Sequence, residues 1–139
     1  MITVVTESDG FDDPNPGDPW LKSVCNSICT DYGHDSGSIT FIFSTDDRLS
    51  QLKKEFFQRN VYTDVISFNL EDEGEPVEGE IYISLERVAE NATNYNVEFI
   101  NELKRIMVHG VLHVMGLDDQ TPKDKTEMTR LENHYLGLN

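Results

Sequence analysis

The chain has 139 residues, about the size of one domain, and its 37% of hydrophobic residues is enough for a core. Its 26 acidic and 11 basic residues give a formal net charge of −15. This charge argues against a protein that binds nucleic acid through a general basic surface or docks on an anionic membrane.

Neither targeting nor membrane signals stand out. No run approaches the roughly 18 apolar residues that a membrane span needs. Residues 1–10 lack the basic start and apolar stretch of a secretory signal. Only two cysteines are present, too few for a disulfide framework. We therefore expect one domain over residues 1–139, located in the cytoplasm and without a membrane partner.

Apolar spacing along the chain predicts an α+β fold with four strands and about five helices. In chain order we expect a strand at 2–5, a helix at 20–32, a strand at 38–44, a helix that Thr45 begins, strands at 64–70 and 80–84, a helix from Ser84 to about Asn94, a helix that Asn96 caps, and a last helix that Thr121-Pro122 opens. Cys25 and Cys29 share the apolar face of the first helix, which favours buried thiols over a metal pair.

The acidic residues are concentrated in the middle of the chain. Residues 61–100 hold ten acidic residues and one basic residue, whereas residues 101–139 carry a net charge of only −1. The run at 71–78 contains Gly and Pro among repelling carboxylates, so it predicts a solvated hairpin loop, with a cation or partner site as the alternative.

The motif with the clearest chemistry is the segment His109-Gly110-Val111-Leu112-His113, followed by Gly116 and Asp119. Histidines four residues apart on a helix share one face and can reach one ion. Gly116 can end the helix in a left-handed conformation, so Asp119 can return as a third ligand. Three protein ligands and an open position are typical of a catalytic zinc, which activates water near neutral pH.

Other interpretations of these residues stay open at this point. His109 and His113 could be two hydrogen-bonded core histidines, and His34 or His134 could replace Asp119 as the third ligand. A peptidase of the His-Glu-x-x-His type is disfavoured, because Gly110 stands where its general base would be.

Three ordered motifs resemble the YbeY family of single-domain bacterial endoribonucleases, which act in ribosomal RNA maturation. They are Thr-Asp-Val-Ile-Ser-Phe at 63–68, Gly-Glu-Ile-Tyr-Ile-Ser at 79–84 and the histidine motif at 109–119, and the likeness covers roughly residues 38–136. The resemblance implies a small mixed sheet packed with helices around one Zn²⁺ ion, with the metal site on a buried central helix. It also implies a ribosomal RNA substrate, with the ribosome or an assembly protein as a possible partner and no DNA.

Three positions depart from the family pattern. Asp119 replaces a third histidine, which lowers the net charge of the site and predicts a less acidic bound water and more tolerance of harder metals. Phe57 stands where the family carries an Arg thought to serve catalysis, and Arg59 is the candidate substitute. Glu80 replaces an Asp.

Candidate residues for the remaining roles follow from charge and position. Glu80 and Asp118 are the acid–base candidates, although Asp118 could instead orient a ligand histidine or cap the turn, and Glu80 could be solvated. Lys53, Lys54 and Arg59 form a candidate RNA-binding cluster, and Lys104-Arg105 form a second basic pair.

Three functions fit these features. The first is a metal-dependent endoribonuclease of ribosomal RNA, with water activated on zinc that His109, His113 and Asp119 hold. The second is a zinc hydrolase of a less anionic substrate. The third is a non-catalytic metal-binding protein of ribosome assembly.

Overall fold

The computed structural model describes residues 1–9, 14, 17–57 and 63–138. Over these residues the elements, in chain order, are β1 (Ile2–Ser8), α1 (Asp18–Asp31), β2 (Gly37–Ser44), α2 (Asp46–Phe57), β3 (Val65–Asn69), β4 (Val77–Ser84), α3 (Leu85–Asn94), α4 (Phe99–Val114) and α5 (Pro122–Leu136). No helix in these ranges is long and apolar enough to cross a membrane.

The four strands form one mixed sheet in the order β1-β2-β4-β3. β2 lies parallel to both β1 and β4, and β3 pairs antiparallel with β4. The expected hairpin between β3 and β4 is therefore confirmed, although β4 begins at Val77, so the last residues of the acidic run belong to the strand. The α+β architecture, with a small mixed sheet and five helices, is also confirmed.

Helices cover both faces of the sheet. Alternate residues of β4, such as Ile81 and Ile83, face a core that α1 and α4 complete, and Cys25 and Cys29 are buried there as unpaired thiols. On the other face, Leu49 and Leu52 of α2 pack against Ile66. Because strand side chains alternate between faces, neighbouring residues of β3 and β4 belong to opposite layers.

The capping predictions are confirmed at Ser84 and Thr121, whose side chains accept backbone N–H groups of the following helical turn. The prediction that Asn96 caps α4 is wrong. Glu98 is the residue before α4, and Asn96 has a left-handed φ of 56° in the turn that ends α3. An Asn at such a position serves the end of a helix as Gly does.

Candidate metal centre

Two histidines of α4 and one carboxylate beyond it meet at one point. The Nε2 atoms of His109 and His113 lie 2.9 Å apart. Asp119 Oδ2 lies 3.3 Å from the first Nε2 and 3.5 Å from the second. All three side chains are partly buried, and among the described residues this is the group of His, Cys, Asp or Glu that could hold a metal ion.

The end of α4 brings Asp119 back to the histidines. Gly116 has a φ of +97°, and its N–H donates to the carbonyl of His113, while the N–H of Leu117 donates to that of Leu112. This pair of hydrogen bonds reverses the chain at the end of a helix and requires a residue that tolerates the left-handed conformation. The predicted role of Gly116 is therefore confirmed.

Gly110 lets α4 lie directly on the sheet beneath the site. A Cβ atom at this position would lie 2.6 Å from Ile81 Cγ2 and 3.3 Å from Val65 Cγ2. Any larger side chain, including the Glu of zinc peptidases, would have to displace buried β-branched residues. The close packing of α4 on the sheet therefore explains why residue 110 is a glycine.

Each histidine is oriented through its other ring nitrogen. His109 Nδ1 lies 2.6 Å from Glu132 Oε2, and His113 Nδ1 lies 3.0 Å from the carbonyl oxygen of Leu117. Since an ionised carboxylate and a carbonyl can only accept, both Nδ1 atoms donate. Both Nε2 lone pairs then point toward Asp119 and toward each other, an arrangement that a bound cation or a proton must stabilise.

Sequence reasoning missed Glu132, the carboxylate that holds His109. It lies on α5, is 7% exposed, and also accepts from Arg105 at 3.0 Å. The sequence feature that could have revealed Glu132 is its position four residues after Met128, which places a charged residue on the buried face of α5. The predicted alternative, that Asp118 orients a histidine, is wrong, because both Nδ1 atoms have other partners.

The surroundings act on the proton affinity of His109 in opposite directions. Burial is the largest single effect and lowers the pKa of its imidazole, but the hydrogen bond and charge of Glu132, together with the charges of Asp64 and Asp119, raise it by more. The net pKa lies above its usual range. The pocket therefore favours positive charge between these groups, as a metal site requires.

A cavity of about 430 Å³ opens beside the three ligand atoms. Besides the ligands, the residues around it that matter for chemistry are Lys53, Phe57, Asp64, Ser67 and Asp118. Ser67 donates to the Gly110 carbonyl at 2.9 Å, which agrees with a strand hydroxyl that ties β3 to α4 and not with a nucleophile. Asp118 accepts the N–H of Asp119 at 2.8 Å, so it supports the turn.

The structure does not bring all the predicted site residues together. Glu80 lies in β4 one residue before Ile81, on the face opposite α4, where the Tyr82 hydroxyl donates to it at 3.3 Å. The prediction of a catalytic Glu80 is therefore corrected. Lys54 is exposed and is not part of the described cavity lining, whereas Lys53 is. Arg59 lies outside the described residues.

The alternative third ligands are likewise separate from the site. His134 lies against Tyr135, with ring centroids 4.9 Å apart, and lines a different cavity with Trp20 and Asp31. His34 is exposed in the loop after α1. Neither joins the metal-capable group found among the described residues.

The donor set fits a transition-metal ion that is intermediate between hard and soft in its choice of ligands. Two imidazole nitrogens and one carboxylate oxygen are ligands that Zn²⁺ accepts, and an adjoining cavity leaves room for water or substrate. The fixed outer hydrogen bonds of both histidines are what metal-ligating imidazoles usually carry.

Comparison with known proteins agrees with this geometry. Residues 13–138 match the sequence model of the family described as Endoribonuclease YbeY. The protein of that name from Amoebophilus asiaticus is 41% identical over 73% of this chain and 69% of its own length. That from Flavobacterium psychrophilum is 40% identical over 86% of this chain and 81% of its own length.

A solved structure supports the fold. The solution structure of a Thermotoga maritima protein superposes with a TM-score of 0.61, covering 99% of this chain and 90% of that chain at 23% identity. At that level of identity, the likeness establishes a shared fold alone.

Proposed function

The chain belongs to the YbeY family, and from this premise we propose that it is a zinc-dependent endoribonuclease that cleaves ribosomal RNA. The observation that carries the proposal is the convergence of His109, His113 and Asp119 beside an open cavity. A closed site with four protein ligands would instead favour a structural ion.

The residues of this chain divide the work around the ion. When bound, the ion supplies a Lewis acid that makes water nucleophilic near neutral pH and offsets charge on the phosphate. His109, His113 and Asp119 hold it. Glu132 and the Leu117 carbonyl accept from the two Nδ1 atoms, which leaves both Nε2 lone pairs free to hold the ion.

A carboxylate in the cavity is needed to move protons. Asp118 is the exposed carboxylate next to the ligands and is our candidate for taking or returning the proton of water. Asp64 also lines the cavity, and Asn91 donates to its carboxylate at 3.1 Å. Both carboxylates accept a hydrogen bond, so we prefer Asp118 because it is exposed whereas Asp64 is partly buried, and we assign Asp64 to structure.

Zinc is the proposed metal because the donor set is imidazole-rich. The single carboxylate lowers the net charge of the site, so the bound water is expected to be less acidic than in a three-histidine site, and Mn²⁺ is expected to substitute more readily. Full zinc affinity in an Asp119→Ala variant would remove Asp119 from the ligand set.

The remaining proposals concern partners and location. Lys53 and Arg59 are the proposed contacts to RNA phosphates, whereas Lys54, which is exposed and does not belong to the described cavity lining, is set aside as a contact. With so few cations, delivery by the ribosome or an assembly protein is the proposed route to the substrate. The two unpaired cysteines fit the reducing cytoplasm, and residues 1–139 are proposed to act as one unit.

The test is cleavage of structured ribosomal RNA by purified metal-loaded protein beside its His113→Ala variant. We expect wild-type cleavage and a loss of at least about 100-fold in the variant, since one ion ligand is removed. Equal cleavage by both proteins would assign the activity to another site or a contaminant. Bound metal without cleavage of any RNA would favour the non-catalytic alternative, and cleavage of an uncharged ester instead would favour the less anionic substrate.

A further inference from the structure

The cavity beside the metal centre is poor in positive charge. Asp64 and Asp118 line it together with the ligand Asp119, and a phosphodiester brings one more negative charge. Among the described residues around the cavity, Lys53 is the single Lys or Arg side chain. Within the described part of the chain, the charge that an attacked phosphate gains therefore has one candidate ammonium partner besides the ion.

An aromatic ring holds that ammonium in place. Lys53 and Phe57 are four residues apart on α2 and share one face of the helix. The Nζ atom lies 4.7 Å from the centre of the Phe57 ring, within the range of a cation–π contact. Phe57 itself is 44% exposed and lines the same cavity as Lys53, so this contact lies at the wall of the cavity.

The ring that holds Lys53 is fixed from the sheet. Phe57 stacks on Phe68 with centroids 6.0 Å apart and planes 28° apart, and Phe68 meets Tyr82 edge to face at 5.9 Å. The flexible Lys53 side chain therefore contacts a ring that packs on β3 and β4. This contact reduces the conformational entropy that Lys53 loses when it binds an anion.

Lys54 provides the contrast within the same helix. It carries the same charge one position later, is exposed, and does not belong to the described cavity lining. Its place in the last turn of α2 suits the negative end of the helix dipole, a role that needs no ligand.

We propose that Lys53 is a catalytic residue that donates to a non-bridging oxygen of the scissile phosphodiester, and that Phe57 is its positioning residue. The inference rests on the proposed function and deepens it. Lys53 makes and breaks no covalent bond: it stays protonated and stabilises the negative charge that grows on the phosphate oxygens as water or a ribose 2′-hydroxyl attacks.

The test compares Lys53→Met with the matched control Lys54→Met in the metal-loaded full chain. Single-turnover cleavage of ribosomal RNA at several concentrations separates the rate at saturation from the apparent affinity. We expect Lys53→Met to lower the saturating rate about 100-fold, as loss of one oxyanion donor does, and Lys54→Met to change it by less than about threefold. Lys53→Arg should retain most of the rate.

Phe57 is tested by substitutions that keep or remove the ring. Phe57→Leu should lower the rate about tenfold without shifting the unfolding midpoint in parallel, and Phe57→Trp, which binds cations more strongly, should restore it. A Phe57→Trp variant as slow as Phe57→Leu would overturn the positioning role and reduce Phe57 to packing.

Binding of inorganic phosphate to the metal-loaded protein, measured by calorimetry, gives a readout that does not need cleavage. We expect the affinity to fall about tenfold in Lys53→Met and to be unchanged in Lys54→Met. If wild type cleaves no RNA, the proposed function fails, yet this pair of affinities still decides whether Lys53 serves an anion at the site. Equal behaviour of the two methionine variants in both measurements would overturn the inference.

Discussion

Glu132 fixes the ring of His109 on the side away from the proposed ion, because its Oε2 atom lies 2.6 Å from Nδ1. The same carboxylate accepts from Arg105 through its other oxygen, at 3.0 Å. A nearly buried carboxylate with two such partners is held in one orientation, and it transmits that order to the imidazole.

Replacing Glu132 with Gln should therefore weaken metal binding by about 10- to 100-fold, because the imidazole loses a charged acceptor while the side-chain volume is kept. Competition with a chelator of known affinity measures the change. Glu127→Gln is the matched control on α5, since Glu127 is exposed and forms an ion pair with Arg130 on the same helix. Equal affinities of the two variants would remove Glu132 from the support of the site.

Sequence reasoning found the metal-capable residues because their signal is local. His109, His113, Gly116 and Asp119 lie within eleven positions, and helix geometry with one left-handed glycine relates them. Glu132 comes from another helix, 23 positions after His109. The packing of α5 on α4 brings them together, and a single sequence carries no periodic signal for such a contact.

At the scale of elements, strand periodicity predicted which residues of β4 share a face but not which face carries the site. Ile81 and Ile83 alternate with Glu80 and Tyr82, as expected for a strand. Because helices cover both faces of the sheet, the alternation alone does not show which face packs against α4. The structure places Ile81 beneath α4, so Glu80 falls on the layer of α2.

The structure also gives a role to Phe57, which differs from the Arg of the family pattern. In the sequence, Phe57 stands where the family carries an Arg, so this position lacks a positive charge. In the fold, Lys53 lies one helical turn earlier with its ammonium over the Phe57 ring, and both line the cavity. Helical spacing of four residues was visible in the sequence, but the cavity that the pair faces was not.

Close packing of α4 on the sheet makes a direct stability prediction. Gly110→Ala places a methyl group 2.6 Å from Ile81 Cγ2, and relief requires α4 or β4 to move. Overpacking of this kind costs about 1–3 kcal/mol, which outweighs the gain of up to about 1 kcal/mol from helix propensity. We expect a net loss of about 1–2 kcal/mol in urea unfolding.

Asn101→Ala, at an exposed position of the same helix, is the control and should change the unfolding free energy by less than about 0.5 kcal/mol. A Gly110→Ala protein as stable as wild type would show that α4 does not need its close approach to β4.

At the scale of the whole molecule, the net charge of −15 opposes RNA, but its distribution leaves room for a substrate. Residues 61–100 carry −9 of it, and the segment with the metal motif carries −1. A divalent ion at the site adds two positive charges where a phosphate would approach. The fold also directs the acidic loop between β3 and β4 to an end of the hairpin, where its carboxylates are solvated.

RNA binding should accordingly be weak, metal-dependent and only moderately sensitive to salt. We expect the logarithm of the association constant for a single strand to fall with the logarithm of salt concentration with a slope of roughly −1 to −2, as for two or three phosphate contacts. Fluorescence anisotropy between low and physiological salt measures it. A flat response would argue against any phosphate contact, and a slope beyond about −4 would require a basic surface that the described residues do not provide.

Metal-dependent cleavage at the His109–His113–Asp119 site is tested by titrating Zn²⁺ into the metal-free protein and following bound ion and RNA cleavage in the same samples. We expect that cleavage is absent without the ion, rises with occupancy, and saturates at one ion per chain. In Asp119→Ala, both binding and cleavage should require much more zinc. Full cleavage by the metal-free protein, or cleavage that does not follow occupancy of the His109–His113–Asp119 site, would contradict this expectation.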